Sequence, residues 1–309
     1  MRIAVTGGSG FIGRRLVAHL LERGDEVLVL SRRPEQARRV LGASPNLKLL
    51  GYDPYQPQSW ASALEGYEAV VNLAGEPLAS SRWTEAKKRE IRRSRVETTQ
   101  ALVQALASLG QKPQVLISSS AVGYYGSRPE GEPLTEADPP GQGFLAEVCQ
   151  AWEAAARPAE ELGIRLAILR TGIVLGPDGG ALGQMLAPFQ FFLGGPIGSG
   201  KQWVSWIHRD DWVSLVCFLL QQGSGVFNAT APNPVPMEEF CRTLGQVLAR
   251  PSWLPVPALA LELLLGEAAQ VVLTGQKVIP QAALQLGFTF QYPHLKEALR
   301  QLLIPQGNC

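Results

Sequence analysis

Met1-Arg-Ile-Ala-Val-Thr-Gly-Gly-Ser-Gly-Phe-Ile-Gly13 runs from a short apolar stretch straight into glycines. Arg2 to Val5, β-branched at Ile3 and Val5, reads as the first strand of a parallel sheet. Gly7 permits a tight turn, Gly10 lets the backbone approach a pyrophosphate, and Gly13 lets the following helix lie close to the strand. With Gly8, Ser9, Phe11 and Ile12 they form a loop whose free N–H groups, at a helix N-terminus, suit phosphate. A lone glycine pattern is weak, but both flanks agree here: residues 11–24 read as an amphipathic helix stopping at Gly24, and Glu26 to Leu30 as a second strand. The alternative, a glycine-rich turn with no ligand, leaves this strand–loop–helix context without a purpose.

Beyond the second strand come Ser31, Arg32 and Arg33, where a chain selecting the ribose 2′-hydroxyl of NAD would place an acid. A hydroxyl and two guanidiniums suit a 2′-phosphate, so the expected cofactor is NADP; the competing reading leaves these arginines merely solvated. Leu47 to Gly51 is a third strand, and Asp53 after it either accepts a hydrogen bond from adenine or caps the Pro54–Pro57 turn. Ala69 to Gly75 is a fourth strand ending in small residues, with Leu73, Ala74, Gly75 and Glu76 expected against the cofactor.

The helix from Glu85 to about Leu109 is strongly basic, yet Ile91, Thr98, Leu102, Ala105 and Leu109 make one inward stripe, and Lys88, Arg89, Arg92 and Arg93 mostly lie off it on what reads as a solvated face. Arg95 falls on the stripe, four residues after Ile91, and is expected to reach cofactor or substrate. A fifth strand from Gln114 turns polar at its carboxyl end, where ligands bind in an open α/β sheet. Ser118, Ser119 and Ser120 are either strand-end caps or site hydroxyls, and Tyr124 and Tyr125 supply phenols close by. A helix over 145–162 carries Pro158 as an anomaly. Arg165 to Pro177 is a sixth strand and its exit loop, with Thr171 and Gly172 assigned to the cofactor. The glycine-rich loops at 178–181 and 194–201 lack the strand and GK[ST] helix of a P-loop. Residues 202–212 hold three tryptophans and His208, which is either an acid/base or a histidine satisfied inside a packed loop. Val226 to Thr230 is a late strand, and Pro305–Cys309 is expected to fray.

The 309 residues suit one two-lobed unit or two small domains, and 28 Lys plus Arg against 27 Asp plus Glu leave a net charge of +1, so nothing global attracts nucleic acid. Cys149, Cys217, Cys241 and Cys309 lie far apart without CxxC or metal-ligand spacing, which argues against disulfides and a zinc site and for a reducing compartment. No secretory leader is expected, and the apolar runs at 212–220 and 258–265 are too short to span a bilayer. The expectation is a cytoplasmic protein, or a stromal one if the lineage is plastid.

TGGSGFIG at 6–13, NLAG at 72–75, SSSAVGYYG at 118–126, RTGIVLGP at 170–177 and SWIHRDD at 205–211 occur in that order. Together they resemble the extended short-chain dehydrogenase/reductase superfamily. Arg82-Trp83-Thr84-x-x-Lys87, GGALGQML at 179–186 and GSGKQWVSWIH at 198–208 are similar to its atypical, epimerase-like branch with a short C-terminal domain of unknown function. That resemblance implies a Tyr-x-x-x-Lys pair on the helix after the fifth strand, Tyr as acid/base and Lys lowering its pKa and holding the nicotinamide ribose. Here Phe144 and Val148 stand at those places, and no lysine occurs between Lys112 and Lys201. Members of this branch keep the nucleotide loop without the usual pair, and relatives in cyanobacteria and plastids are linked to cell or organelle division.

The expected fold is α/β, a Rossmann-type doubly wound parallel sheet with a smaller, mostly helical C-terminal substrate lobe. Residues 1–176 form the NADP domain with 204–231 returning to it, and 177–203 and 232–309 form the substrate lobe. The expected function is an NADP-binding oxidoreductase or epimerase-like enzyme on a small molecule, with Ser120, Tyr124, Tyr125 and His208 as catalytic candidates, no metal, and the helix at 85–109 available for pairing in a homodimer. The alternative is a catalytically silent nucleotide-binding regulator or scaffold.

Overall fold

A computed structural model of the chain describes residues 1–78, 81–128 and 131–304; the fraying expected of Pro305–Cys309 lies outside them. The first half alternates strand and helix: β1 (Arg2–Thr6), α1 (Phe11–Glu22), β2 (Glu26–Ser31), α2 (Pro34–Leu41), β3 (Leu47–Gly51), β4 (Ala69–Asn72), α3 (Glu85–Ala107) and β5 (Val115–Ala121). There follow α4 (Phe144–Ala156), α5 (Pro158–Glu161), β6 (Arg165–Thr171), β7 (Ile173–Leu175), α6 (Gly180–Gln190), β8 (Trp203–Val204), β9 (Trp206–His208), α7 (Arg209–Gln221) and β10 (Gly225–Ala229). The chain ends in β11 (Val235–Pro236), α8 (Met237–Leu248), α9 (Ala258–Leu265), α10 (Gln270–Leu273), α11 (Gln281–Gln285) and α12 (Leu295–Leu303).

Seven parallel strands form one sheet in the order β10-β6-β5-β4-β1-β2-β3, with Ile3 paired to Val27 on one side and Ala69 on the other. The order reverses between β1 and β4, and such a switch point opens a crevice at the strands' carboxyl ends. Alternation along β1 feeds two cores. Ile3 and Val5 pack with Leu16 and Leu20 of α1 and Val216 of α7, while Ala4 packs on the opposite face with Leu102 and Leu106 of α3. A third core gathers Leu182 of α6, Trp206 of β9, Phe240 and Leu244 of α8 and Leu299 of α12.

Three elements depart from expectation for local reasons. The fourth strand stops at Asn72, and Leu73 to Gly75 leave the sheet to line the crevice. The helix expected over 145–162 divides at Arg157, because Pro158 lacks the N–H an interior position donates and instead begins α5. The chain steps from β6 to β7 at Gly172, where a Cβ would lie 2.3 Å from the Ser205 carbonyl oxygen, so only glycine lets β9 approach. No described helix is long and apolar enough to cross a membrane.

Candidate functional site

The crevice has an outer and an inner part, and Gly7, Gly10, Leu73, Gly75, Glu76 and Pro77 line both. Above the glycine loop, α1 begins at Gly10 with no side-chain cap and no acid in its first turn, so its positive end is left for an anion. Gly7 has φ +69°, and a Cβ there would sit 2.7 Å from the Leu73 carbonyl oxygen. A Cβ on Gly13 would lie 2.3 Å from the Gly7 carbonyl oxygen. Ser9 lines the outer part, and Phe11, Ile12 and Gly13 the inner. Gly8 lines neither: it is buried, and a Cβ would meet the Val29 side chain at 3.0 Å, so it packs under the loop.

The outer part, about 600 Å³, is closed by Ser31, Arg32, Arg33, Gln36, Tyr52 and Tyr55 as well as Ala74. The Ser31 hydroxyl accepts the Arg33 N–H at 3.2 Å, and neither Arg32 nor Arg33 is ion-paired among the described residues. Asp53 is not part of the lining. Its Oδ1 accepts the Tyr55 N–H at 3.0 Å and its Oδ2 the Gln56 amide at 2.9 Å, so the turn-capping alternative is the one the geometry shows. Gln36, Tyr52 and Tyr55 were not singled out from sequence, since an amide in the first turn of α2 and two aromatics in the loop after β3 carry no spacing signal.

The inner part, about 650 Å³, lies between the carboxyl ends of the strands and the C-terminal segment around Gln270 to Gln276. Ser119, Ser120, Thr171 and Gly172 contribute from strand ends, Arg95 from α3, Trp203, Ser205 and Trp212 from the tryptophan-rich stretch, and Gln270, Val271 and Gln276 from the C-terminal segment. Phe144 and Val148, at the places of the missing pair, both face it, with Cys149 beside them. The Thr171 hydroxyl accepts the Trp212 indole N–H at 3.1 Å. Arg95 ties down the loop after β4: one guanidinium nitrogen donates to the Glu76 carbonyl at 2.9 Å and the other to the Ile91 carbonyl at 3.1 Å. Burial holds this guanidinium below its ordinary pKa. The Glu76 carboxylate is bound to Lys87 at 2.6 Å. Lys88 and Arg93 of the basic face are likewise paired, with Glu85 and Glu97.

Of the catalytic candidates, only Ser120 reaches the cavity, and its hydroxyl donates to Glu153 Oε1 at 2.7 Å. Tyr125 is fully buried behind the site; its hydroxyl donates to Asn228 Oδ1 at 2.7 Å and accepts from Arg170 at 3.0 Å. Burial pushes that phenol up to about 12. Tyr124 lies with its ring 3.3 Å from the Arg170 guanidinium carbon and is not part of the lining. Ser118 points to the opposite face of β5 from Ser119, with its hydroxyl buried and without a partner among the described residues.

His208 lies away from the cavity lining. It ends β9 and caps α7, its Nδ1 accepting the Asp210 N–H at 3.1 Å while Nε2 meets Gln301 Oε1 at 2.8 Å and the ring lies on Tyr292. The packed-histidine alternative is what the structure shows. Burial lowers its pKa, opposed by the Gln301 hydrogen bond. The unfolded chain therefore binds the proton more readily, and this contribution to stability is complete above the ordinary value of 6.5 and declines as pH falls through it towards the folded value. His208→Asn keeps a capping acceptor and should flatten the acid side of the stability profile in urea unfolding. An unchanged slope would contradict the assignment.

Sequence inspection missed the charged pair beneath Ser120. Glu153 of α4 and Arg170 of β6 are 4 % and 3 % exposed and joined through two contacts, at 2.8 and 2.9 Å. The signal was present, since Arg170 interrupts an otherwise apolar strand and Glu153 sits among Trp152, Ala154 and Ala155. A charge at such a position requires a partner.

Residues 3–230 match the NAD dependent epimerase/dehydratase family, and residues 256–302 match a domain of unknown function, DUF1731. The chain is 47 % identical over 307 residues to an epimerase family protein SDR39U1 homolog, chloroplastic, from Arabidopsis thaliana, covering 98 % of this chain and 87 % of that protein. It is 36 % identical to the epimerase family protein YfhF of Bacillus subtilis, covering 98 % of each. Among solved structures, that of human epimerase family protein SDR39U1 with NADPH superimposes with a TM-score of 0.86 at 35 % identity, over 98 % of this chain and 99 % of that one.

Proposed function

Since the chain belongs to the NAD dependent epimerase/dehydratase family, we propose that it binds NADP along the crevice and works there as an oxidoreductase or epimerase-like enzyme on a small molecule. The observation that carries this reading is the inner cavity: about 650 Å³ stand open where Phe144, Trp203 and Trp212 form walls and do not fill the space. That volume suits a small-molecule site, and its lining runs from the glycine loop past the strand ends to Gln270 and Gln276, beyond the stretch that would hold the nucleotide. The human relative solved with NADPH supports the choice of cofactor.

On this reading the uncapped end of α1 and the glycine loop hold the pyrophosphate, Ser31, Arg32 and Arg33 take the 2′-phosphate, and Tyr52 and Tyr55 flank the adenosine end. Leu73 to Glu76 follow the cofactor inward, and Arg95 holds that loop in place. When bound, NADP supplies hydride chemistry. The protein orients the partners in the inner cavity, where Ser119, Ser120, Thr171 and Gly172 shape the wall.

Arg32→Ala tests the cofactor assignment. A charge-assisted hydrogen bond contributes about 1.5–3 kcal/mol, so NADPH affinity should fall roughly ten- to a hundredfold while NADH affinity changes little; equal losses would remove the 2′-phosphate from this corner. Incubation with NADPH and a panel of carbonyls and nucleotide sugars tests the activity. Consumption of NADPH with one class is expected, and tight NADPH binding without consumption of any would favour the regulator.

A further inference from the structure

The inner cavity is largely apolar in its lining and positive in its surroundings. Trp152, Trp203, Phe144 and Phe11 are among its aromatic walls, and a cation of the protein lies against each of these rings. The Arg95 guanidinium is 5.3 Å from the Trp152 ring centroid, the Lys277 ammonium 4.6 Å from that of Trp203 and the Lys88 ammonium 5.8 Å from that of Phe144. Phe11 has two neighbours of this kind, Arg209 at 5.3 Å and Arg14 at 5.9 Å.

The carboxylates close by leave part of this charge unbalanced. Glu76, the acid among the described lining, is bound to Lys87 at 2.6 Å, and Glu153 beneath Ser120 is bound to Arg170 at 2.8 Å. Lys88 is matched by Glu85 and Glu267, but the single carboxylate of Asp178 serves both Arg14 and Arg209. Arg95 and Lys277 have no ion pair among the described residues. Arg95 donates to the Ile91 and Glu76 carbonyls, and its depressed pKa is that of a cation withdrawn from water without a carboxylate bound to it. It lines the inner part alone.

The nicotinamide is the part of the cofactor whose charge depends on its redox state. In oxidised NADP the ring is a pyridinium cation, and in NADPH it is a neutral dihydropyridine; the phosphates, and with them the attraction of the glycine loop and Arg32, are common to both. Free aromatic faces would favour the pyridinium. Here the protein's own cations already lie against them, and a further positive charge placed nearby is repelled.

On the preceding reading, in which NADP lies along the crevice with its nicotinamide in the inner cavity, we propose that the site tells the two redox forms apart and holds NADPH the more tightly, with Arg95 setting most of the difference. Two unit charges about 8 Å apart at an effective dielectric of ~20 shift an equilibrium by about tenfold or more. Loss of hydride then turns a favoured ligand into a disfavoured one, so the oxidised cofactor is expelled by the charge it has gained.

Calorimetric titration of the full chain with NADPH, oxidised NADP and 2′-phospho-ADP-ribose, which has every phosphate but no nicotinamide, tests this. The wild type should bind NADPH about tenfold or more tighter than NADP. Arg95→Gln keeps an N–H for the Glu76 carbonyl without the charge and should reduce that ratio to about threefold or less, chiefly by tightening NADP, whereas Arg95→Lys should keep it within about twofold of wild type. Lys277→Gln, outside the lining, should lower the ratio in the same direction by a smaller factor, and it decides the matter if Arg95→Gln does not fold. Affinity for 2′-phospho-ADP-ribose, the check on the loop and the fold, should stay within about twofold throughout. Equal wild-type affinities for NADPH and NADP, a ratio unmoved by both charge removals, or a ratio lost as fully in Arg95→Lys as in Arg95→Gln overturns the inference and leaves the NADP reading standing. Failure of all three ligands to bind, or 2′-phospho-ADP-ribose binding as tightly as both dinucleotides, sinks the preceding placement of the cofactor instead.

Discussion

Glu153→Ala is expected to cost about 3–5 kcal/mol of folding stability, the loss typical when one partner of a buried ion pair is removed. Arg170 is 3 % exposed and would keep only its hydrogen bonds to the Tyr125 hydroxyl and, at the edge of bonding distance, the Glu136 carbonyl. Burial pulls the Arg170 guanidinium down in pKa, and the Glu153 carboxylate more than offsets this; a guanidinium is not deprotonated in proteins, so removing Glu153 leaves a buried, unpaired cation. The pair also joins α4 to β6 and accepts the Ser120 proton, so its loss reaches the cavity wall. Urea unfolding measures the effect. The double variant Glu153→Ala, Arg170→Met should recover part of the loss, because it removes the unpaired charge and not only its partner. Equal destabilisation by single and double variants would show that packing, not charge, dominates there.

Gly13→Ala is the second large effect, and it falls mainly on binding. The added Cβ would lie 2.3 Å from the Gly7 carbonyl oxygen and 2.7 Å from the Gly8 Cα, both backbone atoms that cannot swing aside as a side chain can. Overpacking of this kind costs about 1–3 kcal/mol and sometimes more, and relief requires α1 to lift from β1, which opens the loop meant for pyrophosphate. NADPH affinity should fall at least about a hundredfold, equivalent to roughly 2.7 kcal/mol. Gly10→Ala is the informative companion, because its Cβ would meet only the Gly7 carbonyl oxygen, at 3.2 Å, so it should spare stability and act on the ligand alone. Fluorescence titration with NADPH beside urea unfolding separates the two. Unchanged NADPH affinity in Gly13→Ala would place the nucleotide elsewhere.

The parallel sheet and the glycine loop were legible because their signals are local: apolar alternation, β-branching, and glycines demanded by one close contact. Phe144 and Val148 were likewise identified by position, and both do face the inner cavity. For His208, Tyr125 and Ser118 the sequence left the side chain's direction open for a shared reason. Each is polar and close in sequence to the site, yet whether a strand-end side chain points into a crevice or behind it is set by pleat and by the element that covers it. Ser118 and Ser119 are neighbours on opposite faces of β5. His208 was claimed by α7 as a cap and by Gln301 of α12, 93 residues away. The pairing of Glu153 with Arg170 and the contribution of Gln270 to Gln276 depend on how distant segments fold back, which no spacing rule encodes.

The central claim is that the crevice performs hydride chemistry without a Tyr–Lys pair. Its most direct measurement is isotope transfer: NADPH deuterated at the reactive nicotinamide carbon is incubated with the protein and the panel of carbonyls and nucleotide sugars as probes, and oxidised NADP and exchangeable and carbon-bound deuterium in the products are followed by mass spectrometry and NMR. The account predicts loss of deuterium from the cofactor in step with product formation, in the wild type and equally in Tyr124→Phe. Tight NADPH binding with the deuterium retained in full against every probe would contradict it and leave the nucleotide as a ligand without chemistry.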